Sequence, residues 1–223
     1  RCLMPYQIDR FDPARTCVIV VDMQNDFVAE GAQLRSLQAA NMVPTLAKTL
    51  KACREQGVRV IYTAHVHRKD GCDMGLFDDL YPPIAQRSSL VDETEGADIF
   101  GALAPAEGEH VIKKHRYSGF FGTDLDIILR EWGIETVVIT GTATENCCHA
   151  PARDAMFRNY KVAFLSDATG TFDYPDVGQG GMAAADVHRG TLTVLAFSTA
   201  HVMTAAEFLQ RIDTSARAGR VAA

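Results

Sequence analysis

Thr136-Val137-Val138-Ile139-Thr140-Gly141-Thr142-Ala143-Thr144-Glu145-Asn146-Cys147-Cys148-His149 is a β-branched apolar run that stops abruptly in a turn of small residues. Residues 136–140 read as a buried strand, and the segment from Ala152 through Ala155 and Phe157 to Asn159 reads as a helix. The turn between them delivers a cysteine where a helix begins. Backbone N–H groups and the positive end of a helix dipole at such a point favour thiolate over thiol and offer donors to a developing oxyanion. On pattern alone two readings of Cys147 and Cys148 stay open: a nucleophile's seat, or two small buried hydrophobes.

Two further segments end in the same manner. Cys17-Val18-Ile19-Val20-Val21 is a continuous apolar run suited to a buried parallel strand, and Asp22 follows it directly. His110-Val111-Ile112-Lys113-Lys114 reads as a short strand whose last residue is a lysine. Taken singly, Asp22 is equally a cap and Lys114 equally a solvated surface residue. In open α/β sheets, however, ligands bind beyond the carboxyl ends of the strands, where an acid, a cation and a thiol would converge.

Strands are predicted at about 16–21, 59–63, 110–114, 136–140, 161–165 and 200–203. Between them, Ala40 to Gln56 carries Val43, Leu46, Leu50 and Cys53 at helical spacing, with Gly57 as the stop. Thr123 is placed to cap a helix from Asp124 to Trp132, which Gly133 ends. Repeated strand-helix-strand order implies a parallel sheet in a three-layer α/β/α sandwich, without giving the strand order.

Val20-Val21-Asp22-Met23-Gln24-Asn25-Asp26-Phe27, then Lys114 with Tyr117-Ser118-Gly119-Phe120, then Gly141-Thr142-Ala143-Thr144 with Cys147, resemble in order and spacing the isochorismatase-like cysteine hydrolases. The resemblance runs from about Thr16 to Ile212. It implies a six-stranded parallel sheet ordered 3-2-1-4-5-6, with the ends of strands 1 and 4 side by side. It also implies that Asp22 is a general acid/base, that Lys114 orients and supports it, and that Cys147 is the nucleophile. Cys148 falls where the family has a packing residue. A cis peptide between Thr142 and Ala143, and an oxyanion hole from the backbone N–H groups of Ala143 and Cys147, are further implications.

Composition limits the partners. The 223 residues are 47% hydrophobic with a net charge of −6, and no Pro/Gly/Ser-rich linker divides them, so a single domain over 1–223 is expected. Within it a long loop is expected at about 64–109 and a frayed tail after about 213. Scattered basic residues argue against nucleic acid and against an anionic membrane surface. No apolar run approaches the ~20 residues of a membrane span, and Arg1-Cys2-Leu3-Met4-Pro5 lacks the apolar core of a signal peptide. The six cysteines show no disulfide-framework spacing. A cytoplasmic protein acting on a small molecule, as a homo-oligomer (dimer or tetramer), is the expectation.

The long loop is expected to cover the site. His65-Val66-His67 within it puts two imidazoles on one face of an extended segment near Asp70, Cys72 and Asp73. Metal-dependent relatives such as nicotinamidases have an Asp-x-His pattern here, and His65 stands where that aspartate would be. No metal and no cofactor are therefore expected. Phe27, Tyr117, Phe120 and Phe121 are candidate pocket walls, with Tyr117 and Phe121 equally suited to a core, while Arg116 or His149 would recognise a carboxylate or carbonyl. Through the resemblance the expected reaction is hydrolysis of a C–N bond in a small amide or ureido compound of biuret, triuret, ureidoacrylate or N-carbamoyl amino acid type, through a thioester. A metal-dependent nicotinamidase-like amidase is one alternative, and a non-catalytic redox-sensing or assembly module using Cys147 and Cys148 is another.

Overall fold

The computed structural model describes residues 6–213, so the tail expected after about 213 lies outside the described residues. Strands β1 (Thr16–Val21), β2 (Arg59–His65), β3 (His110–Lys114), β4 (Thr136–Thr142), β5 (Lys161–Gly170) and β6 (His201–Met203) form one sheet. Every pairing is parallel and the order is β3-β2-β1-β4-β5-β6, the order that the resemblance implies. The helices are α1 (Asn25–Val28), α2 (Leu37–Gln56), α3 (Pro82–Ala85), α4 (Leu125–Glu131), α5 (His149–Phe157), α6 (Ala184–Ser198) and α7 (Ala205–Gln210).

All six residues of β1 are buried, because alternate side chains feed two different cores. Val18 and Val20 pack with Leu46 and Leu50 of α2 and Phe208 of α7. Cys17, Ile19 and Val21 pack on the other face with Leu125 and Leu129 of α4, Ala152 and Ala155 of α5 and Leu195 of α6. The three-layer sandwich follows directly from this alternation. No helix among the described residues is long and apolar enough to cross a membrane.

Several boundaries differ from the sequence reading. Helix α2 starts at Leu37 and not at Ala40, because the Ser36 hydroxyl accepts a hydrogen bond from Ala39 N at 3.0 Å and caps it. Gly57, at φ +77°, stops that helix as expected. Strand β5 runs on to Gly170, past Ser166 and Asp167, whose polarity hides the continuation in the sequence. Between Cys147 and α5 there is a further difference. A π-helical turn, Thr144–Cys148, holds the cysteine ahead of α5, which begins at His149.

Gly141 sets how closely the two central strands meet at their carboxyl ends. It pairs with Val21 at a φ of +110°, and any Cβ there would collide with the Val21 carbonyl oxygen. A side chain at 141 would therefore force apart the ends that carry Asp22 and Cys147. Gly141→Ala should cost more than about 3 kcal/mol of unfolding free energy. Urea denaturation compared with the parent protein checks this.

Candidate active site

Asp22 leaves β1 in the left-handed region, at φ +49°, an unusual conformation for a residue with a side chain. Hydrogen bonds hold it there. Its N–H donates to Thr63 O at 3.1 Å, and Thr63 Oγ1 donates to Asp22 Oδ1 at 2.6 Å. Gln24 ties the following turn down: its N–H donates to Asp22 O, its Nε2 donates to His65 O and Ala97 O, and its Oε1 accepts from His65 N. Neither Thr63 nor Gln24 was given a role by the sequence reading. The signals available were Thr63 at the predicted end of a strand and Gln24 within the segment 20–27 that carries the resemblance.

Lys114 closes β3, in register with His65 of β2, and its side chain crosses the end of β2 to reach Asp22. Nζ lies 2.7 Å from Asp22 Oδ2 and donates to Arg116 O at 2.9 Å. Both side chains are fully buried. Burial works against the ammonium, but the Asp22 carboxylate and the Cys147 sulfur outweigh it and hold the lysine above its ordinary pKa. Apart from this ion pair, Asp22 Oδ2 is buried without a hydrogen-bond partner.

The Cys147 thiol is 5% exposed and within hydrogen-bonding reach of both Asp22 and Lys114. Burial pushes its pKa up, Lys114 opposes that, and the Asp22 charge adds to the rise. Desolvation by the closed pocket thus opposes the thiolate that a helix start and a nearby cation favour. Cys148 is fully buried with Sγ directed at Thr140 O, a packing position. The Thr142–Ala143 peptide bond is cis.

Cys147 and Ala143 form the floor of a pocket whose walls come from several segments. Phe27 and Tyr117, both sequence candidates, are among them. Phe77, Tyr81, Ile84 and Leu90 are contributed by the connection between β2 and β3, and Leu34 and Phe172 close the remainder. At the rim, Asn146 Nδ2 donates to Tyr174 Oη at 3.0 Å and to Tyr81 Oη at 3.3 Å, and Tyr174 Oη donates to Glu145. The loop aromatics carry no local pattern that would have marked them.

The other candidates lie elsewhere. Phe120 is buried against Tyr160, with the Arg158 guanidinium 5.0 Å from its ring centre. Phe121, next in the chain, points outward and is 64% exposed. Arg116 is spent on the carbonyls of Asp73 and His115, and His149 Nε2 accepts from Arg153. None of the four lines the pocket.

Among the described residues, two groups have the donor atoms a metal needs: Asp22, His65 and Cys147, and then His67, Asp73 and His115. In the first the Lys114 ammonium already neutralises the carboxylate, 2.7 Å away. In the second the donors are engaged. His67 Nδ1 lies 3.2 Å from Asp73 Oδ1, His115 Nδ1 lies 2.6 Å from Val66 O, and Asp73 also accepts from Arg68 N. As folded, these residues form hydrogen-bonded networks, and a divalent ion would have to displace a cation or a set of hydrogen bonds.

Residues 16–207 match the family model described as the isochorismatase domain. A cysteine hydrolase from Pseudomonas syringae pv. phaseolicola 1448A superposes with a TM-score of 0.88 at 41% identity, over 93% of this chain and 96% of that one. N-carbamoylsarcosine amidase from Thermoplasma acidophilum superposes with a TM-score of 0.65 at 28% identity, over 86% of this chain and 96% of that one. In sequence, ureidoacrylate amidohydrolase RutB from Rhizobium rhizogenes is 36% identical over 174 residues, covering 70% of this chain and 71% of the relative.

Removing the ammonium would strand a buried carboxylate without its counter-charge. Lys114→Met should therefore lower the unfolding free energy by about 3–5 kcal/mol. Adding Asp22→Asn to that variant removes the stranded charge and should recover most of the loss. Chemical denaturation of the parent, both single variants and the double variant measures this coupling.

Proposed function

The chain belongs to the family of hydrolases built on the isochorismatase domain, and from that premise we propose that it is a metal-independent cysteine amidohydrolase acting on the C–N bond of a small amide or ureido compound. One observation carries the reading: a buried Cys147 thiol lies against a carboxylate whose own charge is held by a buried ammonium. Such a thiol is activated when substrate arrives, by passing its proton to Asp22 as sulfur attacks.

In this mechanism Sγ of Cys147 bonds to the carbonyl carbon while Asp22 takes the thiol proton. The backbone N–H groups of Ala143 and Cys147 receive the oxyanion. Asp22 then protonates the departing nitrogen, the C–N bond breaks, and an amine or ammonia leaves a thioester on Cys147. Water attacks the thioester, Asp22 takes one of its protons, and release of the acid restores the thiol. Lys114 keeps its proton throughout and stabilises the carboxylate whenever Asp22 is ionised. The buried packing position of Cys148 supports an enzyme over a two-cysteine redox sensor.

Cys147→Ser should abolish ammonia release from amides and ureides with the fold intact, since a serine hydroxyl is far less acidic than a thiol beside the same base. Cys148→Ser should retain it. In the same assay, exhaustive chelation should leave both rate and melting temperature unchanged. Turnover in the Cys147 variant, or activity lost on chelation and restored by a divalent metal, would refute the proposal.

A further inference from the structure

The walls around Cys147 carry a charge pattern that narrows the substrate. Among the described lining residues there is no lysine or arginine, and the single basic group is His65. Its protonation is set by a chain of contacts. The Asp73 carboxylate accepts from His67 Nδ1 at 3.2 Å, which leaves the lone pair of His67 on Nε2. That atom faces His65 Nε2 at 3.1 Å, so His65 donates its one proton there and keeps a lone pair on Nδ1. Burial and the Lys114 ammonium both hold the His65 pKa well below its ordinary value, so the ring stays uncharged.

Arg35, next in the chain to the lining residue Leu34, has its Nε buried without a hydrogen-bond partner but is not itself among the lining residues, and two further cations are committed elsewhere. Arg116 donates to Asp73 O at 2.8 Å and to His115 O at 2.6 Å, with its guanidinium 5.9 Å from the Phe77 ring centre. Lys114 is held by Asp22 at 2.7 Å and by Arg116 O at 2.9 Å. The rim adds negative charge. Glu145, joined through Tyr174 to the lining residue Asn146, has one carboxylate oxygen buried without a hydrogen-bond partner. A substrate carboxylate entering here would lose its water and meet apolar rings and a neutral imidazole, with the Glu145 carboxylate behind Asn146. An uncharged amide loses far less, and its N–H groups suit an acceptor such as an imidazole lone pair.

We propose that the pocket selects uncharged amides and ureides and discriminates against members of the same class that bear a carboxylate. The inference rests on the amidohydrolase reading for its chemistry, but the sign of the pocket is testable without turnover. The first probe is a matched pair of alkylating agents, neutral iodoacetamide and anionic iodoacetate, with the modification of Cys147 followed by peptide mass spectrometry. Relative to their rates with the uncharged thiol 2-mercaptoethanol, iodoacetamide should be favoured at Cys147 by at least about tenfold. Leu34→Arg, which puts a cation at a half-buried wall position, should shrink or reverse that preference. The second probe is ammonia release from butyramide against succinamate and from biuret against N-carbamoylglycine, where each neutral member should be the better substrate. Equal or faster modification by iodoacetate, or faster hydrolysis of an anionic member, would overturn charge selection. A neutral preference at Cys147 with no amide in the panel hydrolysed would support charge selection and refute the amidohydrolase reading instead.

Discussion

A lysine and an aspartate, each fully buried, meet at 2.7 Å where three strands end. Neither would be tolerated alone at that depth, since an isolated charge out of water costs several kcal/mol even after relaxation. The pair is thus a constraint on the fold as much as a feature of the site. Asp22 ends β1 and Lys114 ends β3, so β2 must lie between them, and its Thr63 must stand in register to hold the carboxylate. On the other side of β1, Gly141 lets β4 approach closely enough to bring Cys147 to the same point.

The ion pair also decides where the proton rests. With the ammonium 2.7 Å from Oδ2, the cation's field is shared between the carboxylate and the sulfur. Burial pushes the Cys147 thiol up, which suits the proposed transfer of its proton to Asp22 when a substrate carbonyl is present. A thiolate waiting in this pocket would need solvent or a second cation. The walls supply neither, being aromatic and aliphatic around a neutral imidazole. The same dryness that raises the thiol pKa strengthens every electrostatic contact made in the transition state.

The sheet was legible because both faces of its central strands are buried, so β1 and β4 appear as unbroken apolar runs. Asp22, the polar residue that follows β1, stood out for the same reason, whereas Lys114 ends β3, a short edge strand with exposed residues. Order and convergence came from the family resemblance and not from periodicity. The pocket was far less legible. Phe27 and Tyr117 line it, whereas Phe120 turns into the core and Phe121 faces solvent, and the turn of the chain at Gly119 and beyond sorts those rings, not their chemistry. Tyr81 and Leu90 come from a connection without regular periodicity, where side-chain direction is set by tertiary packing alone. A helix start and a nearby cation, which favour the thiolate, are visible in sequence, while desolvation, which opposes it, is visible only once the pocket has closed.

The central claim is that Asp22, Lys114 and Cys147 form one electrostatic unit whose resting state is carboxylate, ammonium and thiol. Its most direct test is the pH dependence of Cys147 alkylation by iodoacetamide in the parent protein, Lys114→Met and Asp22→Asn. The account predicts a thiol that titrates above the ordinary cysteine value in the parent, higher still without the ammonium, and lower without the carboxylate. A Cys147 that is already thiolate at neutral pH, or a titration unmoved by either substitution, would contradict it.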